Sequence, residues 1–246
     1  MLSNSYIAVF LLSFLSVITT LIGVWLALYF KNKDKGIAIG IGFSAGIMLL
    51  ISFLELLPKA ATASGLIIVL LVSILGVLFI SSLNFIVPHI HYFKEKGELS
   101  WQLKTAYLVA FGLILHDFPE GFAMANSYIY SPTLGILVAI SIAVHNIPEE
   151  FAMAVPLVIA KKKKVLINLA ILSALAEPVG AGLGLFACFL APTLNPLFMA
   201  FAAGAMIFIS IHELYPMAKK YRRLPYFTLG AGLSLLVYLG LNSILI

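Results

Sequence analysis

Apolar runs of roughly twenty residues, separated by short clusters of glycine, proline and charge, recur along the whole chain. Each run is long enough to cross a ~30 Å hydrocarbon core as a helix. Reading between the clusters predicts eight helical spans, at 5–30, 36–57, 65–88, 104–126, 133–159, 165–188, 196–217 and 225–245. A bilayer leaves backbone amides no water to bond, so spans of this length satisfy them internally as helices. The expected fold is an all-α integral membrane protein forming one domain over residues 1–246.

Charge adds the orientation. The chain is 62% hydrophobic and 10% charged, too apolar for a soluble surface. With loops assigned alternately to the two sides, Lys31, Lys33 and Lys35, then Lys94, Lys96 and Lys104, then Lys161 to Lys164, then Lys219, Lys220, Arg222 and Arg223 share one side, and only Lys59 falls on the other. By the positive-inside rule the loops at 31–35, 89–104, 160–164 and 218–224 are cytoplasmic and both termini extracellular. The four-lysine run marks topology and is no nucleic-acid site. The first span lacks a basic leader and exceeds a signal-peptide core, so it is expected to be retained. The single Cys188 excludes an internal disulfide.

The acidic residues do not follow the loops. Seven of the ten, Glu55, Asp117, Glu120, Glu149, Glu150, Glu177 and Glu213, lie inside or at the ends of spans. No Lys or Arg is at mid-membrane depth to pair with them. A bare charge at a helix centre costs about 2.5–3.5 kcal/mol on insertion scales, so protons or metal cations must neutralise this set. At ~1.5 Å per residue, His116, His145 and Glu177 each sit about 18 Å from one face, at one level. Glu55 falls near the outer end of its span and Glu213, beside His212, near the inner end of its own. These three read as stations of entrance and exit.

In HDFPEG, His116, Asp117 and Glu120 share one helix face, and HNIPEE repeats this with His145, Asn146 and Glu149. Imidazole with carboxylate suits Zn²⁺ and also Fe²⁺, Mn²⁺, Co²⁺ or Ni²⁺, whereas Ca²⁺ and Mg²⁺ prefer oxygen alone. Pro119, Pro148 and Pro178 each remove a backbone donor and are expected to kink or open their helices beside a polar cavity. Residues 111–125 and 140–154 match at an offset of 29, on spans of opposite direction. SAGIMLLISFLELLPKA at 44–60 aligns with AAGAMIFISIHELYPMA at 202–218, identical at 9 of 17 positions. A 3+2+3 arrangement with inverted symmetry follows, the basis on which alternating access commonly rests.

These motifs, with LAEPVG in the sixth span and IHELYP in the seventh, resemble the ZIP (Zrt-, Irt-like) family of divalent metal transporters, in its bacterial zinc-uptake branch. The resemblance covers nearly the whole chain. It implies eight spans, extracellular termini, a multi-pass place in the cell membrane, and Zn²⁺ carried inward as substrate, with Cd²⁺ and related ions as further cargo and no cofactor. It also implies one metal position from His116, Glu120, His145 and Glu149, and a second from Asp117, Glu120, Asn146, Glu149 and Glu177, with both glutamates bridging. Met48 belongs to the span-2 motif and is a further pathway candidate. The chain departs from the family at Asp117, where Asn is usual, and at Glu150, where Gly is usual. Glu150 is rotated ~100° from Glu149 and is expected to face a neighbouring span, water or metal.

Two other classes fit less well. An intramembrane metallohydrolase would carry the HExxH helix, which is absent. A proton conductor would have less need of His/Glu pairs one turn apart. His89 and His91 in the second basic-side loop are further metal candidates. The implied partners are divalent ions and the lipid bilayer; a homodimer is left open.

Overall fold

The computed structural model describes residues 2–29, 34–86, 116–159, 161, 163–220 and 223–245. The first half of the expected fourth span and the loop with His89 and His91 lie outside them. Every regular element among the described residues is helical. They are α1 (Leu2–Tyr29), α2 (Asp34–Leu50), α3 (Leu57–Ser64), α4 (Leu66–Ile86), α5 (116–130), α6 (Pro132–Ile159), α7 (Lys163–Leu190), α8 (Asn195–Ile209), α9 (Tyr215–Lys220) and α10 (Leu224–Leu245). Seven stretches among them are long and apolar enough to cross a membrane. The chain is a multi-pass, all-α membrane protein.

Burial orders the bundle. In α6, 71% of the apolar window is buried inside the protein, against 17% in α10. So α6 runs through the centre and α10 along the outside, where Leu229, Leu236 and Leu239 are exposed as a lipid-facing side chain should be. Helix α2 packs chiefly on α10, α4 on α8, and α1 on α6, with α6 also against α2 and α7. Span 2 against span 8, and span 7 against span 3, are the pairings that a 3+2+3 inverted repeat requires.

In hydrocarbon no hydrophobic force draws helices together, so close backbone approach at small residues takes its place. A Cβ on Gly42 would strike the Phe227 carbonyl of α10, and one on Gly230 the Ile39 carbonyl of α2. The same reciprocal contact joins Gly76 and Gly204 across α4 and α8, and Gly121 and Gly180 across α5 and α7. The glycine-rich stretch at 180–184 is thus a packing surface, with Gly180 and Gly184 turned to α5 and Gly182 in open space.

The helices do not open at their prolines: α6 runs unbroken through Pro148, and α7 through Pro178. The ring of Pro148 instead packs on Gly40 of α2. The backbone departs from α-helix elsewhere, in π-helical turns at Ile51–Leu56 and Ser210–Leu214. These are corresponding positions of the second repeat. In both, a serine one turn after a methionine bonds back to that methionine's carbonyl, Ser52 to Met48 at 2.7 Å and Ser210 to Met206 at 2.8 Å. Such back-bonding competes with the helical ladder and bends it. In both, a proline follows at once, Pro58 or Pro216, whose ring would crowd the carbonyl four residues back in a regular helix. The π turn accommodates it, and span 2 therefore continues past its expected end to Ser64.

Candidate metal centre

Four helices and one π turn bring polar groups into the apolar interior. Helix α5 supplies His116, Asp117 and Glu120, α6 supplies His145, Asn146, Glu149 and Glu150, and α7 supplies Ser173 and Glu177, all buried. Helix α1 adds Ser16 and Thr20, and the second π turn adds Glu213.

At the centre are Glu120, His145 and Glu149, whose ligating atoms all lie within 4.8 Å of one another. His145 Nδ1 is 2.9 Å from the Ser141 carbonyl, an acceptor only, so Nδ1 carries hydrogen and donates. In the neutral ring this leaves the Nε2 lone pair directed at Glu120 Oε1, 3.1 Å away, with Glu149 Oε2 at 3.9 Å. Glu120 Oε2 and Glu149 Oε2 have no hydrogen-bond partner. Three electron-pair donors converge at this focus, which a proton or a metal cation can occupy. A ring whose far nitrogen is fixed by a carbonyl is the usual arrangement behind a metal-binding imidazole. Ser44 of α2 donates to the His145 backbone carbonyl at 3.0 Å and holds this turn of α6 against α2.

His116 lies beside this focus. Its Nδ1 is 3.0 Å from Glu149 Oε1, and its Nε2 is 2.8 Å from Glu213 Oε2. The imidazole therefore ties α6 to the π turn of span 7. Glu213, expected near the inner end of its span, is thus in direct contact with a residue of the site. His212, the preceding residue, is exposed and stacks on Phe208 with ring centroids 4.7 Å apart.

Two further groups flank the focus on the side of α1. Asn146 Nδ2 donates to Ser16 Oγ at 2.9 Å and to Glu177 Oε2 at 3.1 Å. Ser173 Oγ is 2.5 Å from Asp117 Oδ2 and also bonds Glu150 Oε1, to which Thr20 donates at 3.4 Å. Glu150 thus faces α1 and α7, turned from Glu149 as its position on the helix demands.

The other candidates lie apart. Met48 is buried, and Ser210 Oγ meets its sulfur at 3.7 Å. Glu55 is buried with both oxygens engaged, one by Lys59 and one by the hydroxyl of Tyr238.

Sequence reasoning missed the hydroxyls. Ser16, Thr20, Ser44, Ser141 and Ser173 contribute a side chain or a carbonyl to the site. A signal for α1 was present: Ser13, Ser16, Thr20 and Gly23 form one buried stripe at helical spacing in an otherwise apolar helix.

A family model described as ZIP Zinc transporter matches residues 93–240. The "Zinc transporter ZupT" of Chlorobium chlorochromatii is 32% identical over 268 aligned residues, covering 99% of this chain and 99% of the relative. Proteins of the same name from Akkermansia muciniphila and Shigella flexneri are 37% and 38% identical, covering 89% and 85% of this chain and 90% and 86% of their own lengths.

Proposed function

Because the chain belongs to the ZIP zinc transporter family, we propose that it carries Zn²⁺ into the cytoplasm through the buried cluster on α5, α6 and α7. The protein is a transporter and not an enzyme, and the metal is its cargo. The observation that carries this reading is the convergence of His145 Nε2 with the carboxylates of Glu120 and Glu149, with no hydrogen-bond partner on the second oxygen of either carboxylate. Nitrogen and carboxylate donors at one point match the ligand set of Zn²⁺ and admit Cd²⁺, Fe²⁺, Mn²⁺, Co²⁺ and Ni²⁺ as lesser cargo.

His116 completes the first position through its contact with Glu149. The remaining oxygens of Glu120 and Glu149 bridge toward a second ion, held on its far side by Asp117, Asn146 and Glu177. Fixed ligands replace the hydration shell that the ion sheds on leaving water. Residues 1–246 act as one transport unit in the cell membrane, with the basic loops in the cytoplasm and both termini outside. Glu55 and Met48 serve the outer approach, and Glu213 with His212 the inner one.

Reconstitution tests the reading. Purified protein in liposomes should show Zn²⁺ uptake that Glu120→Ala or Glu149→Ala abolishes. Wild-type uptake no greater than that of empty liposomes sinks it.

A further inference from the structure

Away from the metal centre, one face of span 2 carries a line of polar and sulfur side chains. Ser44, Met48, Ser52, Glu55 and Lys59 follow one another at intervals of three or four residues and so stack along one side of the helix. Ser44 is bonded to the backbone of His145, and every member but Lys59 is buried. The stripe thus leads from the metal centre to the first turn of α3, where the Lys59 side chain is 33% exposed.

Glu55 is the last carboxylate on this stripe, and both of its oxygens are held. Lys59 Nζ takes Oε2, and the hydroxyl of Tyr238 on α10 donates to Oε1. The Glu55 side chain is only 5% exposed, so this is no solvated surface pair. A carboxylate removed from water needs a counter-charge. The lysine supplies it on a flexible stem whose head still touches solvent.

The other repeat lacks both holders. Glu213 is the mate of Glu55, and the residue one turn after it is Met217, where the first repeat has Lys59. A Cβ on Gly46 would strike Ser234, and one on its mate Gly204 would strike Ser73. SILGVL at 73–78 therefore corresponds to SLLVYL at 234–239, and Val77 stands where span 8 has Tyr238. Helix packing, which the two halves share through their glycines, does not require the lysine or the tyrosine. They belong to one mouth of the protein only.

We propose, on the reading of this chain as an uptake protein, that Lys59 is a tethered cation that holds Glu55 until a divalent ion displaces it, and that this exchange governs capture of cargo at the outer mouth. A divalent ion brings twice the charge of the ammonium. K⁺ brings no more charge than the lysine and must compete with a partner fixed one turn away at high effective concentration. Once displaced, the ammonium has only to turn into the water it already touches, while Tyr238 keeps the carboxylate in place.

Two readouts test this. In purified protein in detergent, an N-hydroxysuccinimide ester acylates free amines, and mass spectrometry of the peptide containing Lys59 reads that position alone. Zn²⁺ should raise Lys59 acylation about fivefold, the weight of a partly exposed ion pair, and K⁺ at matched ionic strength should not. Glu55→Gln should be acylated rapidly with or without Zn²⁺. Glu120→Ala, which damages the central position and leaves Glu55 intact, should keep the response. In liposomes, Lys59→Met, the residue of the other repeat, should lower the KM for Zn²⁺ about fivefold with kcat no higher. Glu55→Gln should raise KM, and adding Lys59→Met to it should change nothing further. Acylation that ignores Zn²⁺, rises equally with K⁺, or loses its response in Glu120→Ala overturns the proposal. So does a KM that Lys59→Met leaves unchanged, or lowers as much without Glu55, which is what simple repulsion of cations at the mouth would give. Wild-type liposomes without Zn²⁺ uptake would end the transport reading, and the acylation result would still decide whether metal displaces Lys59 from Glu55.

Discussion

Gly121→Ala tests whether helix contact sets the geometry of the metal centre. A Cβ at this position would lie 2.0 Å from the Glu177 carbonyl oxygen and 2.9 Å from the Ala181 nitrogen, where ordinary contact begins at 3.4 Å. The obstacle is backbone, so no side chain can swing aside. Helices α5 and α7 must part by about 1 Å to bring the carbonyl oxygen even to 3.0 Å, and by about 1.4 Å to reach ordinary contact. Glu120 is the preceding residue and Glu177 is on the helix being pushed, whereas metal–ligand distances tolerate about ±0.2 Å. Overpacking of this kind costs about 1–3 kcal/mol. If that strain falls on the site, Zn²⁺ binding weakens about five- to a hundredfold. Titration calorimetry on the purified variant measures it, with Gly182→Ala as control, because nothing lies within 4 Å of a Cβ there. Wild-type affinity in Gly121→Ala would refute the reasoning.

Two more expectations follow from particular contacts. Tyr238→Phe removes the hydroxyl that α10 donates to buried Glu55 and should lower stability by about 1.5–3 kcal/mol, the usual worth of a hydrogen bond to a charged group; thermal unfolding in detergent reads it, and an unshifted transition contradicts the role given to this bond. Protons and metal compete for His145 Nε2 and for the carboxylates, so apparent Zn²⁺ affinity should fall as pH falls and binding should release protons; affinity that is equal at acid and neutral pH argues against a site built from these groups.

The spans were legible because hydrophobic length is a physical requirement of the bilayer, and helix ends agree with it within a few residues in most spans. Span 2 is the exception. Pro58 looks like a stop, but the π turn before it absorbs the ring, and the helix continues. That turn coincides with Ser52 bonding to Met48, a contact of ordinary residues that carries no periodic signal of its own. Its recurrence at Ser210 and Met206 was visible in the repeat but not as backbone geometry. The faces bearing His116, Glu120, His145 and Glu149 were readable from spacing alone, since residues one turn apart share a face. Which of these atoms converge depends on how α5, α6 and α7 cross, and that is set by glycines such as Gly121 and Gly180 whose partners are distant in sequence. The direction of Glu150 could be read as away from Glu149, but its hosts Ser173 and Thr20 could not.

The bond between His116 and Glu213 has a consequence for how a ligand is held. If metal takes the Nδ1 side of His116, beside Glu149, the Nε2 hydrogen remains on Glu213, and a distant carboxylate then sharpens the ligand's basicity and fixes its aim. Under the proposed function, span 7 would therefore help to aim a ligand of the first metal position. Displacing that π turn from α5 would remove this contact from the His116 ring. Lys59 gives the corresponding Glu55 a counter-charge from its own helix, one turn away, and its repeat mate is Met217. The two sides of the protein thus share a backbone plan but not the partner of its carboxylate, a lysine on one side and an imidazole on the other, and a nearly symmetric frame is chemically asymmetric at its two π turns.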